Sequence, residues 1–442
     1  MGRSRTKTGA LLVCVALVSG SCALKQATAG TRCPTVGQLA QDGTYLLKCN
    51  TKRRWERGIT IAQGVTLLRA LASKPTTTIT PPPPVPGPAP MPAALSIASG
   101  PAHACAVMAD RTVTCWGGTG YGQLGQGDAG PIQTVVDFYR DRPGLVAGLV
   151  DAASVTVGAG VSCAVLMSAS VSCWGADLGT GFGGGAGSAN DRAHGIPGLV
   201  GVKQVSIGEG HACALFIAGT MKCWGSNSQG ELGTGDNLSS PTPVAVAGLS
   251  GVTSISAGWH STCAVLADQT VNCWGINYNS MLGTGSTAGS SNNPAAVIGV
   301  AGARDVAVTD GSVCALLVSG AIACWGQNSE GQLGQNGTTS YAVTSPVLVA
   351  NVDNADSLSG SGNRYCARRA DGGIWCWGDL AEPARRAPAP IGLASVSSLS
   401  PACAVDTSAR AWCWGGNGHG ELGNGTRWQQ GANWVPQQVL FS

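Results

Sequence analysis

The stretch Cys263-Ala-Val-Leu-Ala-Asp-Gln-Thr-Val-Asn-Cys273-Trp274-Gly275 decides the fold, because its pattern occurs seven times in the chain. Each copy has a cysteine, nine further residues and then Cys-Trp-Gly, and the first cysteines of successive copies lie 58, 50, 50, 51, 52 and 37 residues apart. A period near fifty residues is typical of a repeat architecture. The other six pairs are Cys105 with Cys115, Cys163 with Cys173, Cys213 with Cys223, Cys314 with Cys324, Cys366 with Cys376, and Cys403 with Cys413.

The residues between the two cysteines of each copy predict a β-hairpin, because short apolar runs flank a polar turn. Cysteines at these positions lie close together across such a hairpin, near disulfide range. We therefore predict a disulfide within each copy. Zinc is the alternative, but the zinc ligands of one pair usually stand about two to four residues apart, and the spacing here is much longer.

Each copy also reads as one four-stranded sheet. In the fourth copy the strands are predicted at 252–258, 262–266, 271–275 and 294–298. The tryptophan follows a cysteine directly, so it points to the opposite face of its strand, where it can pack between neighbouring sheets. Seven such units over residues 94–442 predict an all-β, seven-bladed β-propeller. We further predict that residues 435–441 lie beside the strand at 94–100, so that the two chain ends complete one blade.

A second pattern follows the Trp-Gly in five of the seven copies. It reads Gly122-Gln-Leu-Gly125, Gly230-Glu-Leu-Gly233, Met281-Leu-Gly283, Gly331-Gln-Leu-Gly334 and Gly420-Glu-Leu-Gly423, and the second and sixth copies lack it. Together with the residues before Trp-Gly, this pattern resembles the regulator of chromosome condensation repeat family over residues 94–442.

That resemblance implies a seven-bladed propeller. The eukaryotic founding member exchanges guanine nucleotides on a small GTPase and binds chromatin, but an exported chain with disulfides would meet neither, so we predict no nucleic-acid partner. Secreted bacterial propellers of this kind include protein inhibitors of β-lactamase, which bind through one face of loops. The resemblance therefore points to an exported bacterial member that binds a partner through one propeller face.

Residues 1–29 read as a secretory signal peptide, since basic residues precede a short apolar run at 11–18. The run is too short for a transmembrane helix. Cleavage before Cys22 would make that cysteine the lipidation candidate of a lipoprotein, although Ser19 stands where the lipobox usually has leucine. Cleavage after Ala29 would follow an A-x-A-like site. We predict an exported protein, either secreted or a cell-envelope lipoprotein that touches the membrane only through its lipid anchor.

Between the signal and the propeller, residues 31–74 form a small basic module that a Cys33–Cys49 disulfide would stabilise, and residues 75–93 form a Pro/Thr-rich linker. Residues 1–74 contain 12 Lys/Arg and 2 Asp/Glu, whereas residues 75–442 contain 14 and 21. This asymmetry favours contact of residues 22–74 with an anionic surface; the alternative is a solvated module with no dedicated partner.

Catalytic signals are scarce. His103, His211 and His260 recur just before the first cysteine of a copy, which favours a structural role, and His194 and His419 stand in loops with no obvious partner. No nucleophile elbow, metalloprotease motif or phosphate-binding loop is present in the sequence. We predict no cofactor, no metal and a monomer.

The sequence therefore predicts a non-catalytic protein- or glycan-binding propeller at the bacterial cell envelope. A secreted inhibitor of an extracellular enzyme is the alternative, and a hydrolase or lyase at the central channel is the third hypothesis. Tyr121 and Tyr278 are the binding candidates, because aromatic residues dominate binding hot spots. Carboxylates or histidines at one channel mouth would favour the enzyme, and an exposed aromatic patch would favour binding.

Overall fold

The computed structural model describes residues 29–32, 39–41, 45–60, 93–127, 139–176, 189–286, 288–335, 341–378, 386–427 and 433–441. The chain divides into two compact units, Met1–Ala89 and Pro90–Ser442. Nearly all of the predicted signal peptide, the lipidation candidate Cys22 and all but the last residue of the linker lie outside the described residues. Those predictions stay predictions.

The first unit contains a three-stranded antiparallel sheet, ordered β1 (Leu39–Gln41), β2 (Tyr45–Cys49), β3 (Trp55–Thr60). Leu47 and Trp55 are buried in its small core. Cys49 is also buried there, and it is disulfide-bonded. Its predicted partner Cys33 lies outside the described residues, so the pairing of these two cysteines remains a prediction.

The second unit consists of seven antiparallel four-stranded sheets, which confirms the predicted all-β, seven-bladed propeller. Each blade takes its four strands from one continuous stretch of sequence. The first three blades contain β4 (Ala94–Ser99), β5 (His103–Met108), β6 (Val113–Gly118), β7 (Tyr139–Leu145); β8 (Ala152–Val157), β9 (Val161–Leu166), β10 (Ser170–Ala176), β11 (Ala189–Val200); and β12 (Val202–Ile207), β13 (His211–Phe216), β14 (Met221–Gly225), β15 (Ser240–Ala245).

The remaining four blades follow in the same order. They contain β16 (Val252–Ala257), β17 (Ser261–Leu266), β18 (Val271–Ile276), β19 (Ser290–Ala296); β20 (Ala303–Val308), β21 (Ser312–Leu317), β22 (Ile322–Gln327), β23 (Ala342–Leu348); β24 (Ala355–Ser361), β25 (Arg364–Arg369), β26 (Ile374–Trp377), β27 (Ala389–Pro390); and β28 (Val396–Leu399), β29 (Cys403–Asp406), β30 (Ala411–Gly415), β31 (Asn433–Gln438). A 3-10 turn spans Tyr278–Ser280. Within the described ranges no helix has the length and apolar character needed to cross a membrane.

Each blade carries one disulfide between its second and third strands, where the two cysteines face each other directly. The bonded pairs are Cys105 and Cys115, Cys163 and Cys173, Cys213 and Cys223, Cys263 and Cys273, Cys314 and Cys324, Cys366 and Cys376, and Cys403 and Cys413. Their Cα atoms are 4.0–4.1 Å apart. Such a short separation is that of a non-hydrogen-bonded position in an antiparallel pair. Each bond closes a short loop and so contributes on the order of 2–3 kcal/mol of stability.

The tryptophans of the Cys-Trp-Gly pattern pack between blades, where all seven are no more than 1% exposed. Five of them donate the indole N–H to a loop carbonyl of the preceding blade at 2.8–2.9 Å, and we call this bond the indole latch. The donor–acceptor pairs are Trp116–Glu421, Trp174–Gln123, Trp274–Glu231, Trp325–Met281 and Trp377–Gln332. The accepting residue is the one before the leucine of the second sequence pattern, so that pattern builds the interface between blades.

The last glycine of that pattern stands at a position where the loop tolerates no side chain. Gly423 has φ +62°, and a Cβ on it would lie 2.7 Å from the indole nitrogen of Trp116. Gly233 has φ +66°, and its Cβ would lie 2.8 Å from the same atom of Trp274. Glycine is therefore required twice over, by the left-handed backbone and by the close approach of the neighbouring tryptophan.

The predicted closure of the ring is wrong. Residues 433–438 form the outer strand of the seventh blade, where Gln437 faces Cys413, and they do not pair with the strand at 94–99. The first blade has its own outer strand, β7, so each blade is complete within its repeat. The ring closes through contacts between blades instead: Phe441 packs edge-on against Trp116 at 6.1 Å, and Ala94 N–H donates to the carbonyl of Ala409.

The first strands of the blades surround a central channel, and the connections between strands define two opposite faces. The turns between first and second strands lie beside the loops that follow the third strands, as the bond from Ile276 N–H to His260 O shows. We call this side the loop face. The hairpins between second and third strands lie beside the connections to the next blade, as the bond from Ile217 N–H to Gly201 O shows. We call that side the hairpin face.

Candidate functional site

The candidate site is the channel mouth on the loop face, a cavity of about 310 Å³. Its wall includes Glu209, Trp259 and Asp310, each in the turn between the first two strands of the third, fourth or fifth blade. Neighbouring turns touch through their backbones, since a Cβ on Gly258 would lie 2.7 Å from the carbonyl oxygen of Thr309. Glycine at that position lets the turns converge, and convergence brings the three side chains to one opening.

The two mouth carboxylates are exposed, and in the part of the chain that the structure describes neither has an ion-pair partner. Partial burial raises the pKa of Asp310, and the negative charge of Glu209 raises it further. That dependence shows that the two carboxylates experience each other's field. The mouth therefore brings two acidic side chains together, and His260 is the titratable base on which the charge of Glu209 also acts.

Behind the mouth, Glu231 of the third blade pairs with His260 of the fourth. His260 Nδ1 donates to Glu231 Oε1 at 2.9 Å, and the Glu231 side chain is fully buried. The hydrogen bond to Glu231 raises the pKa of His260, and the charges of Glu231 and Glu209 act in the same direction. Burial alone would raise the pKa of Glu231, but the bond from His260 and backbone N–H groups lower it overall.

His103 and His211 have the structural role that the sequence predicts. Their Nε2 atoms lie 2.8 Å from Ser162 Oγ and Thr262 Oγ1 in the following blade. Each hydroxyl donates its own hydrogen to a loop carbonyl, so each histidine carries its proton on Nε2 and leaves Nδ1 as a bare acceptor. Burial lowers the pKa of His103 to about 3 and that of His211 to about 4, so both rings are neutral at pH 7.

The structure separates the two predicted binding tyrosines. Tyr121, 58% exposed, lies in the loop of the first blade and packs on Gly160, whereas Tyr278, 47% exposed, lies in the fourth blade. Tyr278 instead meets Tyr341 of the fifth blade, which is 62% exposed, with the two hydroxyl oxygens 2.9 Å apart. The sequence alone does not identify Tyr341 as a binding candidate. Its loop position recurs in no other repeat, so the repeat period does not relate it to Tyr278.

Charge on the loop face is uneven. In the turns and loops of the third, fourth and fifth blades, the sequence places five carboxylates and no lysine or arginine: Glu209, Glu231, Asp236, Asp310 and Glu330. The same blades supply Trp259, Tyr278 and Tyr341 to this face. We call this part of the loop face the acidic–aromatic sector; it comprises residues 207–211, 226–240, 257–261, 277–286, 288–290, 308–312, 327–335 and 341–342.

A second, larger cavity of about 490 Å³ lies where the sixth, seventh and first blades meet. Its wall contains both signs of charge, with Glu330 and Glu421 opposite Arg364. The guanidinium of Arg364 stacks over the Trp434 ring at 4.6 Å. Arg364 occupies the repeat position that holds His103 and His211, so it takes over their role as a bridge to the next blade.

His419 does have a partner, contrary to the sequence interpretation. Its Nδ1 donates to Glu421 Oε1 at 3.0 Å, and its backbone N–H donates to the same carboxylate. His194 lies near the carbonyl of Arg192.

Across the described ranges, no three His, Cys, Asp or Glu side chains are grouped so that they could hold a metal ion.

The comparisons with known proteins agree with the repeat pattern. A model of the regulator of chromosome condensation (RCC1) repeat matches residues 219–265, and a second model of the same repeat matches residues 95–123, 202–231 and 252–280. No curated protein sequence matches the chain.

Several solved structures share the fold. Human WBSCR16 is 20% identical, with a TM-score of 0.63 over 74% of this chain and 94% of that chain. Yeast RCC1 (Prp20), solved with Kap60 bound, is 20% identical, with a TM-score of 0.57 over 67% of this chain and 74% of that one. Prp20p from Saccharomyces cerevisiae, whose report covers binding to Gsp1p and histones, is 16% identical, with a TM-score of 0.55 over 78% and 76%. With its seven complete blades and its matching repeats, the chain belongs to the regulator of chromosome condensation repeat family.

Proposed function

We propose that this propeller is an exported, non-catalytic module that binds a protein through the acidic–aromatic sector of its loop face. The observation that carries the proposal is the Tyr278–Tyr341 pair, two exposed rings from neighbouring blades joined through their hydroxyl groups. Exposed tyrosines held in place supply large contact area at low entropic cost, which is the usual character of a binding hot spot. Yeast Prp20, which shares the fold, was solved with Kap60 bound, and its binding properties to Gsp1p and histones were studied.

Export is part of the proposal. Seven disulfides in one chain favour an oxidising compartment, since thiols stay reduced in most cytosols. The partner would therefore be a protein of the cell envelope or the extracellular medium. If that partner is an extracellular enzyme, inhibition of the enzyme is the alternative function.

A hydrolase at the channel mouth is the second candidate, because Glu209 and Asp310 face one opening near His260. A carboxylate pair that catalyses hydrolysis needs an acid and a base held in different environments. Partial burial raises the pKa of Asp310, as a general acid would need, but His260 is already engaged with buried Glu231 and is not free to act as a base. This arrangement favours binding, and loss of a hydrolytic activity in Asp310→Asn with partner binding intact would favour the enzyme instead.

Affinity capture with the full chain tests the proposal. Wild type, a Tyr278→Ala/Tyr341→Ala variant and a Met167→Ala/Ile217→Ala control are each used as bait for envelope and medium proteins of the native organism. The control alters residues that are 60% and 70% exposed on the hairpin face. We expect a partner that the wild type and the control retain and the tyrosine variant loses. Equal capture by all three proteins would contradict the proposal.

A further inference from the structure

We propose that the channel mouth holds a lysine or arginine side chain of the partner, with the cation against the Trp259 ring and between the carboxylates of Glu209 and Asp310. This inference rests on the proposed function and specifies the chemistry of its partner. Three observations lead to it: the shape and position of the cavity, the ring in its wall, and the sign of the charge around it.

The cavity suits a single side chain. About 310 Å³ is open at the centre of the loop face, where the turns of several blades converge. Its rim is formed by backbone and by three long side chains from consecutive blades, Glu209, Trp259 and Asp310. A globular partner lying on the loop face would cover this opening, and one extended side chain of that partner would fit within its volume.

Trp259 identifies the kind of group that enters. Its position is filled by small or charged residues in the other blades, such as Ala159 and Glu209, so the ring is a local addition to the repeat. The indole is half-buried, with its face tilted against the imidazole of His260 at 4.8 Å. Tryptophan is the strongest cation–π acceptor among the side chains, and its attraction to a cation grows as water is excluded.

The charges around the ring favour the same group. Glu209 and Asp310 make no ion pair among the described residues, and the acidic–aromatic sector contains no lysine or arginine in its sequence. His260, whose pKa the charge of Glu209 raises, is already engaged with buried Glu231. A cationic side chain would relieve the mutual repulsion of the two carboxylates and gain attraction from both.

A buried group behind the wall contributes independently. His211 is fully buried, and its bare Nδ1 has no hydrogen-bond partner. That nitrogen would lie 2.7 Å from a Cβ placed on Gly208, a residue of the mouth wall directly before Glu209. The buried ring is neutral, so it places no positive charge behind this wall of the mouth.

Binding of short peptides tests the inference. The full chain is titrated with acetyl-Gly-Arg-Gly-amide, its lysine equivalent and acetyl-Gly-Glu-Gly-amide by calorimetry or NMR. We expect weak binding of both basic peptides and none of the acidic one. Glu209→Gln/Asp310→Asn should weaken the basic peptides about five- to tenfold, and Trp259→Ala about three- to fivefold. Added salt should weaken wild-type binding, because exposed charges are screened over about 8 Å at physiological ionic strength.

Asp268→Asn is the matched control, since it removes one exposed carboxylate from the hairpin face and should leave the affinity unchanged. Failure of wild type to bind either basic peptide, or equal binding by the Glu209→Gln/Asp310→Asn variant, would overturn the inference. Affinity capture with both double variants distinguishes the two proposals. If the Tyr278→Ala/Tyr341→Ala variant no longer captures the partner but the Glu209→Gln/Asp310→Asn variant still does, the proposed function is supported and the cation site is contradicted. If both variants keep it, the proposed function itself falls.

Discussion

Trp116 in the first blade donates its indole N–H to the backbone oxygen of Glu421 in the seventh blade, 2.8 Å away. The same bond joins Trp274 to Glu231 at 2.8 Å inside the ring. The junction between the chain ends is therefore built like an interface between consecutive blades. It needs no shared blade, because each repeat already carries its four strands.

We expect Gly423→Ala to destabilise the propeller by about 2–4 kcal/mol, because the new Cβ strains a left-handed backbone and crowds Trp116. Gly233→Ala, at the equivalent internal interface, should cost a similar amount, since the geometry there is the same. Urea denaturation of the three proteins measures both effects.

Gly416→Ala is the control for these two variants, because a Cβ there meets nothing within 4 Å and its φ is not left-handed. It should change stability by less than about 0.5 kcal/mol. A Gly423→Ala protein as stable as Gly416→Ala would show that the indole latch does not hold the ring closed.

The sequence predicted what lies within one repeat and missed what lies between repeats. The Cys263–Cys273 bond and the burial of Trp274 follow from strand alternation over a few residues. The indole latch joins groups about forty residues apart, and the Tyr278–Tyr341 pair joins groups 63 apart. Such contacts depend on how one blade packs on the next, which no single repeat encodes. A shared blade follows only if each Pro-started strand is given to the next repeat; in the structure such a strand, β15 for example, is the outer strand of its own blade.

Removal of one disulfide should weaken the propeller measurably. We expect Cys263→Ala/Cys273→Ala to lower the free energy of unfolding by about 2–3 kcal/mol, because the unfolded chain gains the entropy of an opened loop. Both cysteines are fully buried, so replacing both also avoids leaving a free thiol in the core. Denaturant unfolding measures the change, and an unaltered midpoint would contradict a stabilising role for the bond.

Mass spectrometry of the non-reduced protein, isolated from its native organism, should find eight disulfide links. Seven are those of the blades. The eighth is Cys33–Cys49, expected because Cys49 is bonded and Cys33 is the remaining cysteine of the small basic module. The same digest should show whether the chain begins at a lipidated Cys22 or after Ala29. Recovery of Cys33 as a free thiol would refute the predicted pair.

Acid should destabilise the propeller through its two buried histidines. Burial lowers the pKa of His103 to about 3, whereas the unfolded chain takes up that proton near pH 6.5. Between these values the unfolded state binds one proton more than the folded state, so stability falls as pH falls, by about 1.4 kcal/mol for each pH unit. His103→Gln keeps an N–H donor for Ser162 and removes the titration, so its stability should fall less steeply from pH 6 to pH 4. His211→Gln should behave likewise down to about pH 4. Denaturation midpoints measured from pH 6 to pH 4 test this prediction. If stability falls with pH as steeply in the variants as in the wild type, the two histidine rings take up protons while the protein is folded.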